Sequence, residues 1–204
     1  MKITIYSIAD KIVKSHIITG ISENFEATYN YNSDKIIKNI SGKEYIYNLK
    51  NGKISTVKIG ESLLTFKYTD ERLTEIERIT GAEETKALIK WKDGNVAAIH
   101  TDDNYLGNTV ILLNPSNRPN TIGIIPSLLA TEFTHEIDLA MMISGYFGKC
   151  DEYLPRSLTY CFDENDADDI LQEAISYNFD SHNQIIIQLD QNKDNAVSIK
   201  FIVK

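Results

Sequence analysis

Phe66-Lys67-Tyr68-Thr69-Asp70-Glu71-Arg72-Leu73-Thr74-Glu75-Ile76 reads as strand, tight turn, strand. Phe66 and Tyr68 alternate with polar neighbours, turn-tolerant and charged residues follow, and aliphatics stand five and eight positions past the tyrosine. Versions of the stretch recur on both sides. Ile89 and Trp91 alternate, Asp93-Gly94 supplies a turn, and Val96 and Ile99 hold the same plus-five and plus-eight places. Glycine reaches positive φ without a Cβ clash and aspartate tolerates that region, so this pair is a strong hairpin signal. Tyr29 and Tyr31 open a third copy with Asp34 in its turn and Ile36 at plus five, but its next aliphatic is Ile40. Tyr45 and Tyr47 open a fourth, whose turn Lys50-Asn51-Gly52-Lys53 is two residues longer and delays the aliphatics to Ile54 and Val57. Tyr177 and Phe179 start a fifth, running through Asp180-Ser181-His182-Asn183 to Ile185 and Ile187.

The pattern predicts a mainly β fold: an antiparallel meander of hairpin repeats forming a curved open sheet or barrel-like structure, with aromatics packing across strands. A functional reading of the same rings is a stripe that grips a ligand, with Tyr31, Tyr47, Tyr68 and Trp91 as candidate ligand-binding residues where the aromatic strands meet an insertion.

At 204 residues and 42% hydrophobic content the chain is expected to form a single domain, 1–204, able to bury roughly 70% of its unfolded surface. Its parts are hairpin repeats over 28–100, a helical insertion over 127–147 and C-terminal strands over 156–204. Strands are also expected between residues 3 and 25. The formal charge of -8 excludes general nucleic-acid binding, which needs clustered Lys and Arg. No apolar run approaches the roughly 20 residues of a transmembrane helix. Ile3-Thr4-Ile5-Tyr6 alternates like a strand and lacks the apolar core of a signal peptide, which fits either a cytoplasmic protein or one whose signal has been removed.

Val110-Ile111-Leu112-Leu113 is expected to form a short strand ended by a loop over Asn114-Pro115-Ser116-Asn117-Arg118-Pro119-Asn120. After Pro126 the period lengthens to about 3.6: Leu128, Leu129, Phe133, Ile137, Met141 and Met142 suggest helical turns between Ser127 and about Ser144, in one piece or two, with Gly145 and Gly148 as stops. Leu154-Pro155-Arg156 enters a strand through Leu158, Tyr160 and Phe162. Two final strands run from Gln184 to Leu189 and from Ala196 to Val203.

The search for chemistry is mostly negative. His135-Glu136 lacks the second histidine of a helical zinc site, and His16, His100 and His182 stand alone. There is no nucleophile-elbow serine and no glycine-rich phosphate loop, so no catalytic residue is assigned. The acidic run Asp163-Glu164-Asn165-Asp166-Ala167-Asp168-Asp169 offers Asp163, Asp166, Asp168 and Asp169 as candidate calcium ligands, without the glycine or distal glutamate of an EF-hand loop. Cys150 and Cys161 fit either a disulfide worth about 2 to 3 kcal/mol or two buried free thiols.

Tyr29-Asn30-Tyr31-Asn32, the 66–76 stretch and Trp91-Lys92-Asp93-Gly94-Asn95-Val96, followed by Tyr153-Leu154-Pro155, resemble the functionally uncharacterised Bacteroidetes lipoproteins of the DUF4595 type. The resemblance covers residues 28–204 and implies a porin-like, all-antiparallel β fold and a secreted, lipid-anchored location. Departures are the lack of a lipobox cysteine before the first strand and of a glycine in the last hairpin turn. The Tyr-x-Tyr-Asn and Asp-Glu-Arg-Leu pattern is also similar to the tyrosine-aspartate repeats of bacterial surface and toxin shells. The frequent Lys and Glu at alternate positions do not form a lipid-facing band.

The expected function is therefore a non-enzymatic cell-envelope or secreted ligand-binding or interaction protein, with a glycan, a peptide or a surface protein as partner. The alternatives are an envelope hydrolase, which requires a cleft with converging acids or a displaced histidine pKa, and a structural or assembly module, which requires an exposed sheet edge and a large apolar patch.

Overall fold

The computed structural model describes every residue except 1, 9–10, 20–22, 104–106, 122, 132, 134–135, 163–169, 180–183, 190–195 and 204. Among the described residues fifteen strands follow one another: β1 (Lys2–Ile8), β2 (Lys11–Thr19), β3 (Glu23–Tyr31), β4 (Lys35–Ile40), β5 (Lys43–Lys50), β6 (Lys53–Ile59), β7 (Ser62–Thr69) and β8 (Arg72–Thr80) make the first part. β9 (Glu83–Lys92), β10 (Asn95–Asp103), β11 (Gly107–Pro119), β12 (Tyr153–Cys161), β13 (Ile170–Phe179), β14 (Gln184–Leu189) and β15 (Ala196–Val203) complete it. Each pairs antiparallel with its neighbour in sequence, as the hairpin repeats predict. β1 and β15 pair in parallel, Lys2 with Ser198 through Ser7 with Val203, which brings the barrel-like meander round on itself. With an odd number of alternating strands, first and last run the same way, so a parallel seam is the only one available.

The plus-five, plus-eight spacing has a physical cause. Side chains alternate across a strand, so two residues three apart share a face only where an extra residue is inserted. β6, β8 and β10 each carry such a bulge: Leu49 pairs with Ile54 but Asn48 with Thr56, Tyr68 with Leu73 but Lys67 with Glu75, Trp91 with Val96 but Lys90 with Ala98. Ile54 and Val57, Leu73 and Ile76, and Val96 and Ile99 thereby all reach the core, each at most 2% exposed. The bulged residues Ser55 and Thr74 donate their hydroxyls back to the carbonyls of Asn48 and Lys67, at 3.1 and 3.2 Å. β4 pairs without a register shift. Its inner row is therefore Ile36, Lys38, Ile40, and a lysine falls where the other hairpins place an aliphatic.

The opposite face is wet. Glu75 bonds Lys67 of β7 at 2.7 Å and Lys86 of β9 at 3.0 Å across three adjacent strands.

The segment between β11 and β12 covers the inner face in two short helical pieces, a 3-10 turn at Pro126–Ala130 and α1 at Leu139–Ile143. Asp138 caps α1 by accepting from the Met141 amide at 3.0 Å. Leu128, Phe133, Met141 and Phe147 have no exposed surface, and Phe147 meets Phe66 edge-on with centroids 5.4 Å apart. Burying each such side chain contributes about 1.5–3 kcal/mol. One expectation is corrected: Asn114 to Pro119 is not a loop but the second half of β11. The strand absorbs both prolines at register shifts beside β12, where Pro115 pairs with Pro155 and Pro119 with Tyr153.

Candidate functional site

The repeated hairpins place two rows of side chains on the inner face. Tyr29, Tyr47, Phe66 and Ile89 form a deep row, none more than 5% exposed. Two residues further along, Tyr31, Leu49, Tyr68 and Trp91 form a half-buried row at the turn end. The last three of those turns use left-handed backbone: Asn51 and Gly52 have φ of 53° and 75°, Asp70 and Glu71 50° and 66°, Asp93 and Gly94 48° and 77°. Two successive positive φ values match the right-handed twist of the flanking strands.

Residues 146–152 cross these three turns. The Ile54 amide donates to the Tyr146 carbonyl (2.9 Å), the Lys149 amide to the Glu71 carbonyl (2.8 Å) and the Glu152 amide to the Gly94 carbonyl (3.1 Å). One docking bond falls every three residues. A hairpin is two strand spacings wide, about 9.6 Å, and three residues of chain reach about 10 Å. The rim row bonds sideways as well: the Tyr68 hydroxyl donates to the Ile54 carbonyl and Trp91 Nε1 to the Leu73 carbonyl, both at 2.7 Å.

Between the first two turns lies a cleft of about 350 Å³, lined by Lys50, Asn51, Lys53, Ser55, Phe66, Lys67, Tyr68 and Glu71. Its size is at the lower end for small-ligand sites. Glu71 is its one carboxylate. It is bonded to Lys149 at 2.8 Å and lies 3.7 Å from Lys53. The Lys149 hydrogen bond and charge hold its pKa below the usual glutamate value. Lys67 is held by Glu75, whose hydrogen bond raises the ammonium's pKa.

At the third turn the Arg72 guanidinium stacks 5.3 Å over Trp91 and lies 3.5 Å from Glu152. Beside it Asp151, 2% exposed, accepts from the Val96 amide at 2.6 Å, while its Oδ2 is buried with no partner. Burial, partly offset by that amide bond, pushes the carboxyl up to about 7.

All four aromatics singled out in the sequence stand on the inner face toward the insertion. Tyr31 is tilted against Tyr146 with centroids 6.4 Å apart, Tyr68 lines the cleft and Trp91 stands at the third turn. Tyr47 belongs to the deep row and has no exposed surface, and burial holds its phenol protonated well above the usual range. The candidate calcium ligands Asp163, Asp166, Asp168 and Asp169 lie outside the described residues. Among the described residues no three His, Cys, Asp or Glu side chains gather as a metal site. Cys150 and Cys161 are free thiols. Sequence reasoning missed the cleft's polar lining and Asp151. The longer turn Lys50-Asn51-Gly52-Lys53 was the visible sign of the first, and nothing local marked the second.

The sequence matches no known protein-family profile, and no curated protein matches it. The fold is similar to the crystal structure of a porin-like protein from Bacteroides uniformis, at 13% identity and a TM-score of 0.66, over 91% of this chain and 80% of that one. A porin-like protein from Bacteroides vulgatus is similar at 13% identity and a TM-score of 0.55, over 84% of each chain. At that identity the likeness is one of fold, and it agrees with the porin-like β architecture the resemblance implied.

Proposed function

We propose that this is a non-enzymatic ligand-binding protein of a bacterial cell envelope, and that the cleft between the β5–β6 and β7–β8 turns is its site. The observation that carries the reading is the cleft itself. A half-buried tyrosine, Lys50 and Lys53 line a concavity whose walls are fixed by the docking bonds of Ile54 and Glu71 to the insertion. Preorganised walls lower the ordering cost of binding. The envelope location is supported by the two porin-like neighbours from Bacteroides.

Conduction fits this chain poorly, because a pore needs a polar, water-filled interior and this inner face is packed with Phe133, Phe147, Leu128 and Met141. Hydrolysis has weak support in the cleft, where Glu71 has a lowered pKa and so is a poor proton donor. Asp151 has the proton affinity of a general acid but is sealed from any substrate.

The test is a thermal-shift and glycan-array screen of the protein against glycans and peptides, repeated with Lys50→Trp. Lys50 is exposed and lines the cleft, so the substitution is expected to leave the fold intact and to crowd the cleft with an indole. A hit lost in Lys50→Trp supports the site. A hit retained there places binding elsewhere.

A further inference from the structure

We infer that the cleft takes an acidic saccharide, its carboxylate held by Lys50 and Lys53 and its ring against Tyr68; the inference rests on the binding reading above.

Charge is the first argument. The chain carries 21 Lys and Arg against 29 Asp and Glu, yet the cleft lining holds three lysines and one glutamate. A concave site whose sign opposes that of the whole molecule focuses potential on its own ligand while the surrounding surface repels anions elsewhere. The lysines are not equivalent. Lys67 is engaged by Glu75 at 2.7 Å, and Lys53 stands 3.7 Å from a Glu71 that Lys149 also neutralises. Lys50 has no ion-pair partner among the described residues, which makes it the ammonium most open to a new anion.

The second argument separates a sugar from a peptide. Peptides with backbone-led affinity add a strand to an open sheet edge. β6 and β7 pair only from Thr56 with Thr65 to Ile59 with Ser62, so the cleft opens where the two strands part; there the Ile54 amide is taken by the Tyr146 carbonyl and the Ile54 carbonyl by the Tyr68 hydroxyl, which occupies the backbone groups an added strand would need at that residue. What the site offers instead is side-chain chemistry: ammonium groups, the Asn51 amide and the ring of Tyr68, on which a saccharide's C–H face can lie. The volume of about 350 Å³ suits a ligand of one or two rings.

The experiment is isothermal titration calorimetry of the full chain with digalacturonic acid, its methyl ester, neutral galactobiose and the peptide Asp-Glu-Asp-Glu. It is run at low and at about threefold higher salt, for the wild type and for Lys50→Gln and Lys53→Gln. These variants keep the cleft's shape and remove charge only. The expected result is that digalacturonic acid binds at least tenfold tighter than its methyl ester and than galactobiose. Its affinity drops about tenfold in Lys50→Gln and falls with salt. Equal binding of the acid, the ester and the neutral sugar, abolished by Lys50→Trp, overturns the acidic class and leaves the cleft as a binding site. Tighter binding of the peptide overturns the saccharide. Binding of the acid unchanged in Lys50→Gln, Lys53→Gln and Lys50→Trp overturns the cleft itself, and failure of all four probes overturns this inference while a screen hit lost in Lys50→Trp still supports the binding reading.

Discussion

Lys38 of β4 and Asp138 of the insertion stand 2.6 Å apart inside the protein, their side chains 10% and 3% exposed. The same Asp138 oxygen accepts from the Tyr29 hydroxyl at 3.0 Å, and Ser15 lies 2.9 Å from that hydroxyl. The pair exists because β4 lacks the bulge of the later hairpins and turns a lysine inward. Asp138→Ala leaves a buried ammonium uncompensated and is expected to cost about 3–5 kcal/mol. Lys38→Met is expected to cost less, since Tyr29 and the Met141 amide still serve the carboxylate. Urea denaturation of the two variants and of the double variant measures this, and equal losses in the two single variants would contradict it.

Gly148 has a φ of +83°, and a Cβ there would lie 2.2 Å from the Glu71 carbonyl oxygen. Gly42, at +78°, has nothing within 4 Å of the same position. Gly42→Ala is therefore expected to cost only left-handed strain, about 1–2 kcal/mol. Gly148→Ala adds an overpacking cost of about 1–3 kcal/mol and loosens the cleft wall. Denaturation midpoints should rank them in that order.

Asp151 gives stability an unusual pH dependence. Its native carboxyl titrates at about 7 against an ordinary value of 3.8, so the native state holds a proton that the unfolded chain releases between those limits. The contribution is fully present below about pH 4 and is lost as pH rises through 7, by at most about 4 kcal/mol. Glu71 and Glu75, with lowered pKa values, act in the opposite sense and only below their ordinary 4.5. The melting temperature of the wild type should fall from pH 4.5 to pH 7.5, and Asp151→Asn should flatten that slope. An unchanged slope in the variant would assign the effect to another group.

The bulge hydroxyls should matter equally in two hairpins. Ser55→Ala and Thr74→Val each remove one bond from the bulged residue to the facing strand, at an expected cost of about 0.5–1.5 kcal/mol. The third hairpin carries Ala97 at the corresponding place, so Ala97→Gly tests backbone freedom alone. Equilibrium unfolding, followed by the fluorescence of the single tryptophan, Trp91, reads all three.

The hairpins were legible because turn chemistry and alternation are local. Asp93-Gly94 and Asn51-Gly52 name their turns, and the three-residue gap between Leu73 and Ile76 already encodes a bulge. The run from Asn114 to Pro119 misled because proline and asparagine signal loops, and only pairing with a β12 that carries its own Pro155 makes a strand there. The candidate site and its surroundings were half legible. Tyr68 and Trp91 could be found from their repeat positions, whereas Asp151 looks like any surface aspartate until the Val96 amide and the insertion enclose it. Lys38 is the subtler case: its burial follows from the absence of a bulge, which shows only when the four copies are aligned.

The cover of the inner face is encoded late. Tyr47, Ile54, Leu64, Leu73 and Ile76 are sealed in the finished protein, yet Phe133, Met141 and Phe147 leave the ribosome well after them. At about 5–20 residues per second the early hairpins wait several seconds with an apolar face open, the condition in which sheets recruit one another. The lysines and glutamates of the outer rows protect one side only during that interval. Nascent chains of this protein therefore depend on being kept apart until the residues around 150 are made, and truncation before that point should yield aggregates rather than a smaller folded sheet.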